Sequence, residues 1–246
     1  MTKSLTNFIK IFIYPFIEYL ILVLILFGLM KLGYWQLFRA QQKEEILQQY
    51  QFMQEQSPQT WKAKDPKPKP YQAISVKGRL FKKNFYLDNQ FYQHQIGFNV
   101  LVPVKLSDGS LLLVDLGWLP AGNDRNSLPK IDRPLQTQWQ GRVYYPPQQS
   151  IRLGQIVDHQ QGQSYVVESL NFEELEKIVD TSLQKWVLRL NPSSDSQMKR
   201  EWPVVTVKPE RHRAYALQWF VMAAVIGIIL IWRVYINAKK YFKKVS

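Results

Sequence analysis

The chain has 246 residues, 46% of them hydrophobic and 14% aromatic, which is enough apolar material for a packed domain. Eight of the 32 cations and one of the 19 acids lie in or beside two apolar runs, so residues 33–213 carry only +6 of the net charge of +13. This distribution is typical of membrane topology, and we expect no nucleic-acid partner. The absence of cysteine excludes disulfides, thiolate metal sites and cysteine nucleophiles.

The first apolar run predicts an uncleaved signal anchor. Residues 1–10 form a short polar lead, and a transmembrane helix is predicted over 11–32. A cleavable signal peptide would have a shorter apolar core followed by small residues at a cleavage site, and no such site follows here. Glu18 interrupts the run, and it either faces the second membrane helix or lies near the cytoplasmic headgroups.

The next two segments lead out of the membrane. Helical spacing of apolar residues predicts a juxtamembrane helix over 33–57 that continues the first span. Residues 58–70 are rich in proline and lysine, which predicts an extended, solvated linker.

Residues 71–210 are predicted to form a mostly antiparallel β domain, shaped as a small barrel or sandwich with about seven strands and one helix. Asp88 and Asn89 are predicted to form a turn at the end of a short strand. Pro103 predicts an edge strand or a bulge. Asn171 is predicted to cap the helix.

A second transmembrane helix is predicted over 211–232, with Trp219 and Trp232 at its two interfaces, followed by a basic tail over 233–246. Lysines precede the first span and crowd the end of the second. By the positive-inside rule both termini are cytoplasmic, and the β domain lies across the membrane.

Motifs for catalysis are missing. The sequence contains no phosphate loop, dinucleotide fingerprint, HExxH or GxSxG motif, so we do not expect an enzyme. His94 and His159 are predicted to be solvated surface histidines. The neighbouring Asp158 does not by itself place its side chain on His159.

His212 is the most suggestive single residue, because it stands between Arg211 and Arg213 at the mouth of the second span. One imidazole is enough to ligate haem iron, although contact with lipid headgroups is the ordinary alternative. The two arginines could equally hold anionic lipid or the propionates of a porphyrin. Gln36 and Gln218 both lie near the outer ends of the spans, where they could pair the two helices.

These residues form an ordered set that resembles the surfeit locus protein one (Surf/Shy) family of cytochrome c oxidase assembly factors. The matching motifs, in chain order, are Gly33, Trp35, Gln36, Leu37 and Arg39; Leu87, Asp88 and Asn89; Gly97, Phe98 and Pro103; Asp108, Gly109, Gly117, Trp118 and Pro120; and His212, Tyr215, Ala216, Gln218 and Trp219. Leu116 and Gln90 depart from the pattern, because the family usually has arginine at each position. Asp115 also stands where the family favours asparagine.

The resemblance implies an accessory protein that helps to place haem a into the catalytic subunit of a terminal oxidase, alongside other assembly factors. It implies iron ligation by His212, and we expect Tyr215, Gln218 and Trp219 beside the haem. Gly33, Trp35, Gln36, Arg39, Gly117 and Trp118 are its other motif residues. The short lead favours a bacterial plasma membrane with a periplasmic domain. The alternatives are a haem-free scaffold for oxidase subunits and a membrane-tethered envelope binding module.

Overall fold

The computed structural model describes residues 14–122, 127–132, 135–147, 157–193 and 196–245, with side chains from Phe16 to Lys239 within those ranges. The predicted polar lead lies outside them. The chain divides into two compact units: Met1–Gln48 with Val204–Ser246, and Gln49–Pro203. The elements in chain order are α1 (Tyr14–Gln54), β1 (Gln59–Thr60), β2 (Ala73–Lys77), β3 (Arg79–Leu80), β4 (Asn84–Tyr92), β5 (Gln95–Lys105), β6 (Leu111–Pro120), β7 (Gln138–Tyr144), β8 (Val157–Gln161), β9 (Ser164–Val167), α2 (Phe172–Val179), β10 (Leu183–Leu190) and α3 (Pro209–Val245).

The first unit is built on α1 and α3, which confirms the two predicted apolar helices. Both are long and apolar enough to cross a membrane, and only 6% and 11% of their most apolar windows are buried. A core helix of a soluble domain would be mostly covered by protein, so these surfaces suit lipid.

The helix boundaries differ from the predicted segments. From Tyr14 onward, the two predicted segments, 11–32 and 33–57, form one continuous helix that ends at Gln54. The second helix begins at Pro209, where the fixed φ of proline suits a first helical position. It continues through the predicted tail to Val245, because no glycine or proline interrupts it after Gly227.

Small residues let the two helices approach each other. Gly33, Ala40, Ala216 and Ala223 are buried, and a Cβ at Gly33 would lie 2.6 Å from the Phe220 ring. Small side chains of this kind are typical of packed membrane helices.

Polar contacts join the helices near the start of α1. Glu18 Oε1 lies 2.8 Å from Arg233 Nη2, and Asn237 Nδ2 donates to the Tyr19 hydroxyl at 2.6 Å. Glu18 therefore faces the second helix, which is the first of the two predicted alternatives.

The second unit is one mixed sheet of ten described strands in the order β1-β2-β7-β10-β6-β5-β4-β9-β8, with β3 paired to β5. Six of its strand pairs are antiparallel, and three are parallel: β1 with β2, β10 with β6, and β4 with β9. The mostly antiparallel β domain is thus confirmed, with three short strands beyond the predicted number.

Both faces of the sheet are buried. The larger core cluster joins Ile74 of β2 to Val166 of β9, although several strands separate them in the sheet. The sheet must therefore curve around this cluster. Helix α2 covers the other face with Phe172, Leu175 and Val179. The predicted cap is confirmed, because Asn171 Oδ1 accepts from the Glu174 amide at 3.1 Å.

The prediction of an extended, solvated linker over 58–70 was wrong in part. Trp61 is 7% exposed, its Nε1 donates to the Pro66 carbonyl at 3.0 Å, and Pro68 is buried. The Tyr145 hydroxyl donates to the Pro68 carbonyl at 2.7 Å. Trp61 and Pro68 therefore pack on the domain, while the other prolines and the lysines of this segment remain in solvent.

Two local predictions also need correction. Asn89 has φ +56 inside β4, where the register with β5 shifts, so the Asp88–Asn89 pair forms a bulge within the strand and does not end it. Pro103 lies on a central strand. The missing N–H is tolerated because the partner of β5 changes from β4 to β3 at this point, where the Pro103 carbonyl accepts from the Phe81 amide.

Candidate functional site

His212 and Gln36 meet between the two helices. His212 Nδ1 lies 2.8 Å from Gln36 Oε1, and both side chains are half-buried. A carbonyl oxygen can only accept a hydrogen bond, so Nδ1 carries the proton in this pairing. In the neutral imidazole this tautomer leaves the lone pair of Nε2 available to a metal.

This arrangement is the one that metal-binding histidines adopt. Such residues donate their second ring N–H to an oxygen, which fixes the tautomer and makes the ligating nitrogen more basic. The described residues contain no group of three or more His, Cys, Asp or Glu side chains that could hold a bare metal ion. A single imidazole does fit an iron already held by a macrocycle.

Two aromatic side chains lie on the same face of α3 as His212. Tyr215 and Trp219 lie three and seven residues after His212, a spacing that places them along one side of a helix. Tyr215 is 48% exposed and Trp219 is half-buried. Gln218 is exposed, so the predicted pairing of the spans uses Gln36 with His212.

An ion pair adjoins the histidine. Arg213 Nη2 contacts Glu44 Oε2 on α1, which holds the helices together one residue beyond His212. On the same helix, the Arg39 guanidinium lies 5.6 Å from the centre of the Trp35 ring. Glu44 was missed by sequence reasoning. Its eight-residue offset from Gln36, about two helical turns, was the available signal.

The other histidines stand apart from this site. His94 is exposed in the β4–β5 turn with φ +66. His159 lies in strand β8, and its Nδ1 is 3.1 Å from the Asp158 carboxylate, so the two adjacent side chains do meet. Adjacency alone did not predict this contact, which forms where a bulge in β8 alters the normal alternation of side chains.

Gly117 and Trp118 lie in the second unit, which is called the domain unit below. The main chain of Trp118 makes two hydrogen bonds with Lys199, at 2.8 and 2.9 Å. Gly117 has φ +129, and a Cβ there would lie 2.8 Å from Met198, so only glycine permits this close approach. Gly117 and Trp118 therefore hold the segment around residue 199 against β6.

Leu116 and Gln90, which stand where the family usually has arginine, lie beside this motif. Leu116 is 2% exposed within the larger core cluster, and its carbonyl accepts from Arg200 Nε at 2.8 Å. Gln90 donates to the Asp88 carbonyl at 2.9 Å, and its own carbonyl accepts from Trp118 Nε1 at 2.9 Å. Other groups thus supply polar contacts around the positions that lack arginine.

Asp115 is a buried acid beside Arg189. It is 3% exposed, and it accepts hydrogen bonds from Asn99 Nδ2 at 3.3 Å and the Gly117 amide at 3.2 Å. Arg189 Nε is 3.9 Å from its carboxylate. Burial raises the pKa of the Asp115 carboxyl to about 6, although Arg189, the two hydrogen bonds and Arg200 all act to lower it.

The raised pKa predicts a stability that falls as pH rises. Between about pH 4 and pH 6 the folded protein holds the Asp115 proton more tightly than the unfolded chain, so ionisation disfavours folding by roughly 3 kcal/mol at neutral pH. We expect Asp115→Asn to remove this dependence. The measurement is the thermal unfolding midpoint of the full chain in lipid nanodiscs at pH 5 and pH 7.5.

The control for this experiment is Asp132→Asn, at an exposed aspartate. The change in midpoint between the two pH values should be smaller in Asp115→Asn than in the wild type, and unaltered in Asp132→Asn. Equal pH dependence in the wild type and Asp115→Asn would contradict the prediction.

The chain thus has a mixed-sheet domain between two apolar helices that are long enough to cross a membrane, and a histidine of the second helix is paired with a glutamine of the first. The model of the SURF1 family matches residues 23–224, which is most of the chain. The chain belongs to the SURF1 family, and its role lies in cytochrome c oxidase assembly. The search of curated proteins finds no match.

Proposed function

We propose that the protein holds haem a as a transient cargo for insertion into the catalytic subunit of a terminal oxidase. The observation that carries this proposal is the hydrogen bond from His212 Nδ1 to Gln36, which leaves Nε2 of the neutral ring available to ligate iron. Membership of an oxidase assembly family supplies the context. A delivery protein must also release its cargo, and ligation by one side chain suits a reversible hold.

The proposed topology follows from charge. Lys3 and Lys10 precede the first span, and further cations follow the second, so both termini lie in the cytoplasm and the β domain lies on the other side of the membrane. In the bacterial plasma membrane that we propose, that side is the periplasm. His212 then lies near the periplasmic side of the plasma membrane. Arg211, exposed at the start of α3, supplies a positive charge for a carboxylate near the ligating nitrogen.

The proposed role is that of a chaperone without catalysis. His212 would supply the iron ligand, Gln36 would orient the imidazole, and the exposed Tyr215 ring and the half-buried Trp219 ring would offer apolar surface to the macrocycle. Haem a itself supplies the redox chemistry only after it reaches the oxidase. Oxidase subunits and other assembly factors are the expected partners.

The test is the visible spectrum of the protein purified from cells that make haem a. We expect a haem absorption band in the wild type, its loss in His212→Ala, and its retention in His94→Ala, which alters an exposed histidine elsewhere. Haem content per protein is measured alongside.

Other outcomes separate the alternatives. A colourless wild type that copurifies with oxidase subunits would replace the proposal with a haem-free scaffold. Copurification with neither haem nor oxidase subunits would favour an envelope binding module. A band that survives in His212→Ala would refute iron ligation by this residue.

A further inference from the structure

The domain unit contains a cleft of about 750 Å³ that the haem proposal does not use. Three arginines and several aromatic rings line it, chiefly Arg142, Arg189, Arg200, Tyr50, Tyr92 and Trp202. All of them lie within Gln49–Pro203. The volume falls within the range of sites that bind small organic molecules, roughly 300–1,000 Å³.

Arg189 lies against aromatic rings at the C-terminal end of β10. Its guanidinium carbon is 3.4 Å from the centre of the Tyr144 ring and 5.0 Å from that of Trp202. Its Nε is buried and has no hydrogen-bond partner among the residues that the structure describes, because the Asp115 oxygen at 3.9 Å is too distant for a hydrogen bond. A buried donor without an acceptor is costly, and a ligand oxygen that reaches this guanidinium would reduce that cost.

Neutral backbone carbonyls hold the other two arginines in place. Arg142 Nη1 donates to Met53 and Tyr71 at 3.1 and 3.3 Å. Arg200 donates from Nε to Leu116 and from Nη1 to Asn191 at 3.1 Å. These bonds orient both guanidinium groups without cancelling their charge, so little ordering is needed when an anion binds.

The charge balance favours an anion. Among the described residues around the cleft, Asp115 and Glu201 oppose the three arginines. Asp115 faces Arg189, and Glu201 accepts a hydrogen bond from the Tyr92 hydroxyl at 2.8 Å. The balance is therefore positive, and guanidinium groups bind carboxylate and phosphate oxygens in a planar, two-point geometry.

Family motif residues support the walls of the cleft. The Tyr92 ring lies 5.3 Å from the Trp118 ring, and Trp118 Nε1 donates to the Gln90 carbonyl in the β4 bulge. Trp118 also fixes residue 199 through two main-chain bonds, and residues 200–202 then line the cleft. The walls are thus held by strand pairing and ring packing.

We propose that this cleft binds a small organic anion, in which a carboxylate or phosphate is attached to a flat apolar body. The arginines bind the charged group, and the Tyr50, Tyr92 and Trp202 rings contact the apolar part. The site is made of residues in a different unit from His212. Its failure would leave the haem spectrum unaffected, so the two proposals are tested separately.

The test uses the full chain in nanodiscs of neutral phosphatidylcholine and the probe 2-naphthoate, with saturation-transfer NMR as the readout. Empty nanodiscs report partition of the probe into lipid. We expect saturable binding of 2-naphthoate and at least tenfold weaker binding of 2-naphthylmethylammonium, which has a similar ring and the opposite charge. Equal affinity for the two probes, or no saturable signal above empty nanodiscs, would overturn the proposal.

Variants then locate the binding. Arg189→Gln should raise the Kd for 2-naphthoate at least tenfold, which is what the loss of one charged hydrogen bond predicts. Arg79→Gln, at an exposed arginine outside the cleft, should leave the Kd unchanged. Equal losses in the two variants would overturn the assignment.

A double variant distinguishes loss of binding from loss of folding. Arg189→Gln leaves Asp115 buried without its cation, so the double variant Arg189→Gln with Asp115→Asn removes both charges together. It should unfold near the wild-type temperature and still bind 2-naphthoate at least tenfold more weakly. Wild-type affinity in a folded double variant would refute the site. Saturable binding of a short Asp/Glu peptide, without binding of 2-naphthoate, would identify an acidic peptide as the ligand and overturn the small-anion proposal.

Discussion

Gln36→Leu is expected to lower the affinity of the protein for haem by ten- to a hundredfold. Leucine has a similar size but cannot accept the proton that His212 Nδ1 donates at 2.8 Å. The imidazole then loses its fixed tautomer and orientation, and loss of such a partner costs this much affinity at other metal-binding histidines. Haem retention after purification and the Kd for added haem measure the effect.

Gln36→Glu distinguishes this role from simple helix packing. A carboxylate accepts the same hydrogen bond more strongly, so Nε2 becomes a better electron donor and the reduction potential of bound haem should fall. Gln41→Leu is the matched control, since Gln41 lies on the same helix, is exposed and bonds only to Glu45 among the described residues. Haem binding that is equally weak in Gln36→Leu and Gln41→Leu would refute the assigned role of Gln36.

Gly97→Ala is expected to destabilise the β domain by at least about 3 kcal/mol. The new Cβ would lie 2.1 Å from the Leu119 carbonyl oxygen and 2.6 Å from the Trp118 ring. The ring could shift, but the oxygen belongs to the backbone of β6, which pairs with β5 in the central part of the sheet. Forcing these strands apart is costly in a tightly packed core. Since whole domains are stable by only about 5–15 kcal/mol, the loss should be visible in the unfolding midpoint.

The control is Gly162→Asn, at a glycine with φ +60 and no atom within 4 Å of an added Cβ. Asparagine tolerates this left-handed conformation, so the midpoint should change little. Unfolding of the full chain in nanodiscs, followed by tryptophan fluorescence, compares the two variants with the wild type. A Gly97→Ala unfolding midpoint equal to that of Gly162→Asn would contradict the prediction, because it would mean that β6 can shift without loss of stability.

Local patterns were reliable where a single element decided the outcome. The cap by Asn171 and the apolar helices depend on neighbouring residues alone, and the structure confirms both. The Pro103 prediction was wrong because a proline excludes pairing at one position, while the change of partner from β4 to β3 depends on strands far along the chain. The linker was misread for a similar reason, since Trp61 finds its burial partner, Trp186, in β10.

For the candidate sites too, single residues could be predicted from the sequence and contacts between distant residues could not. His212 could be selected from sequence because a histidine at the mouth of an apolar helix is unusual. Its hydrogen bond to Gln36 joins residues 176 positions apart, and only the packing of the two helices shows it. The arginine cleft offered a weaker signal: Arg189 interrupts an otherwise apolar stretch at the end of its strand, and nothing local indicates that it converges with Arg142 and Arg200.

The sequence by itself determined the two membrane-type helices, the β character of the domain between them and the family, and it singled out His212 as the candidate ligand. These features depend on composition, on periodicity and on ordered motifs, which short-range physics and the chain itself contain. The tertiary structure alone decided the order and curvature of the sheet, the pairing of His212 with Gln36 and the gathering of three arginines. Each of these is a contact between distant segments, whose free energy depends on which surfaces meet when the chain folds.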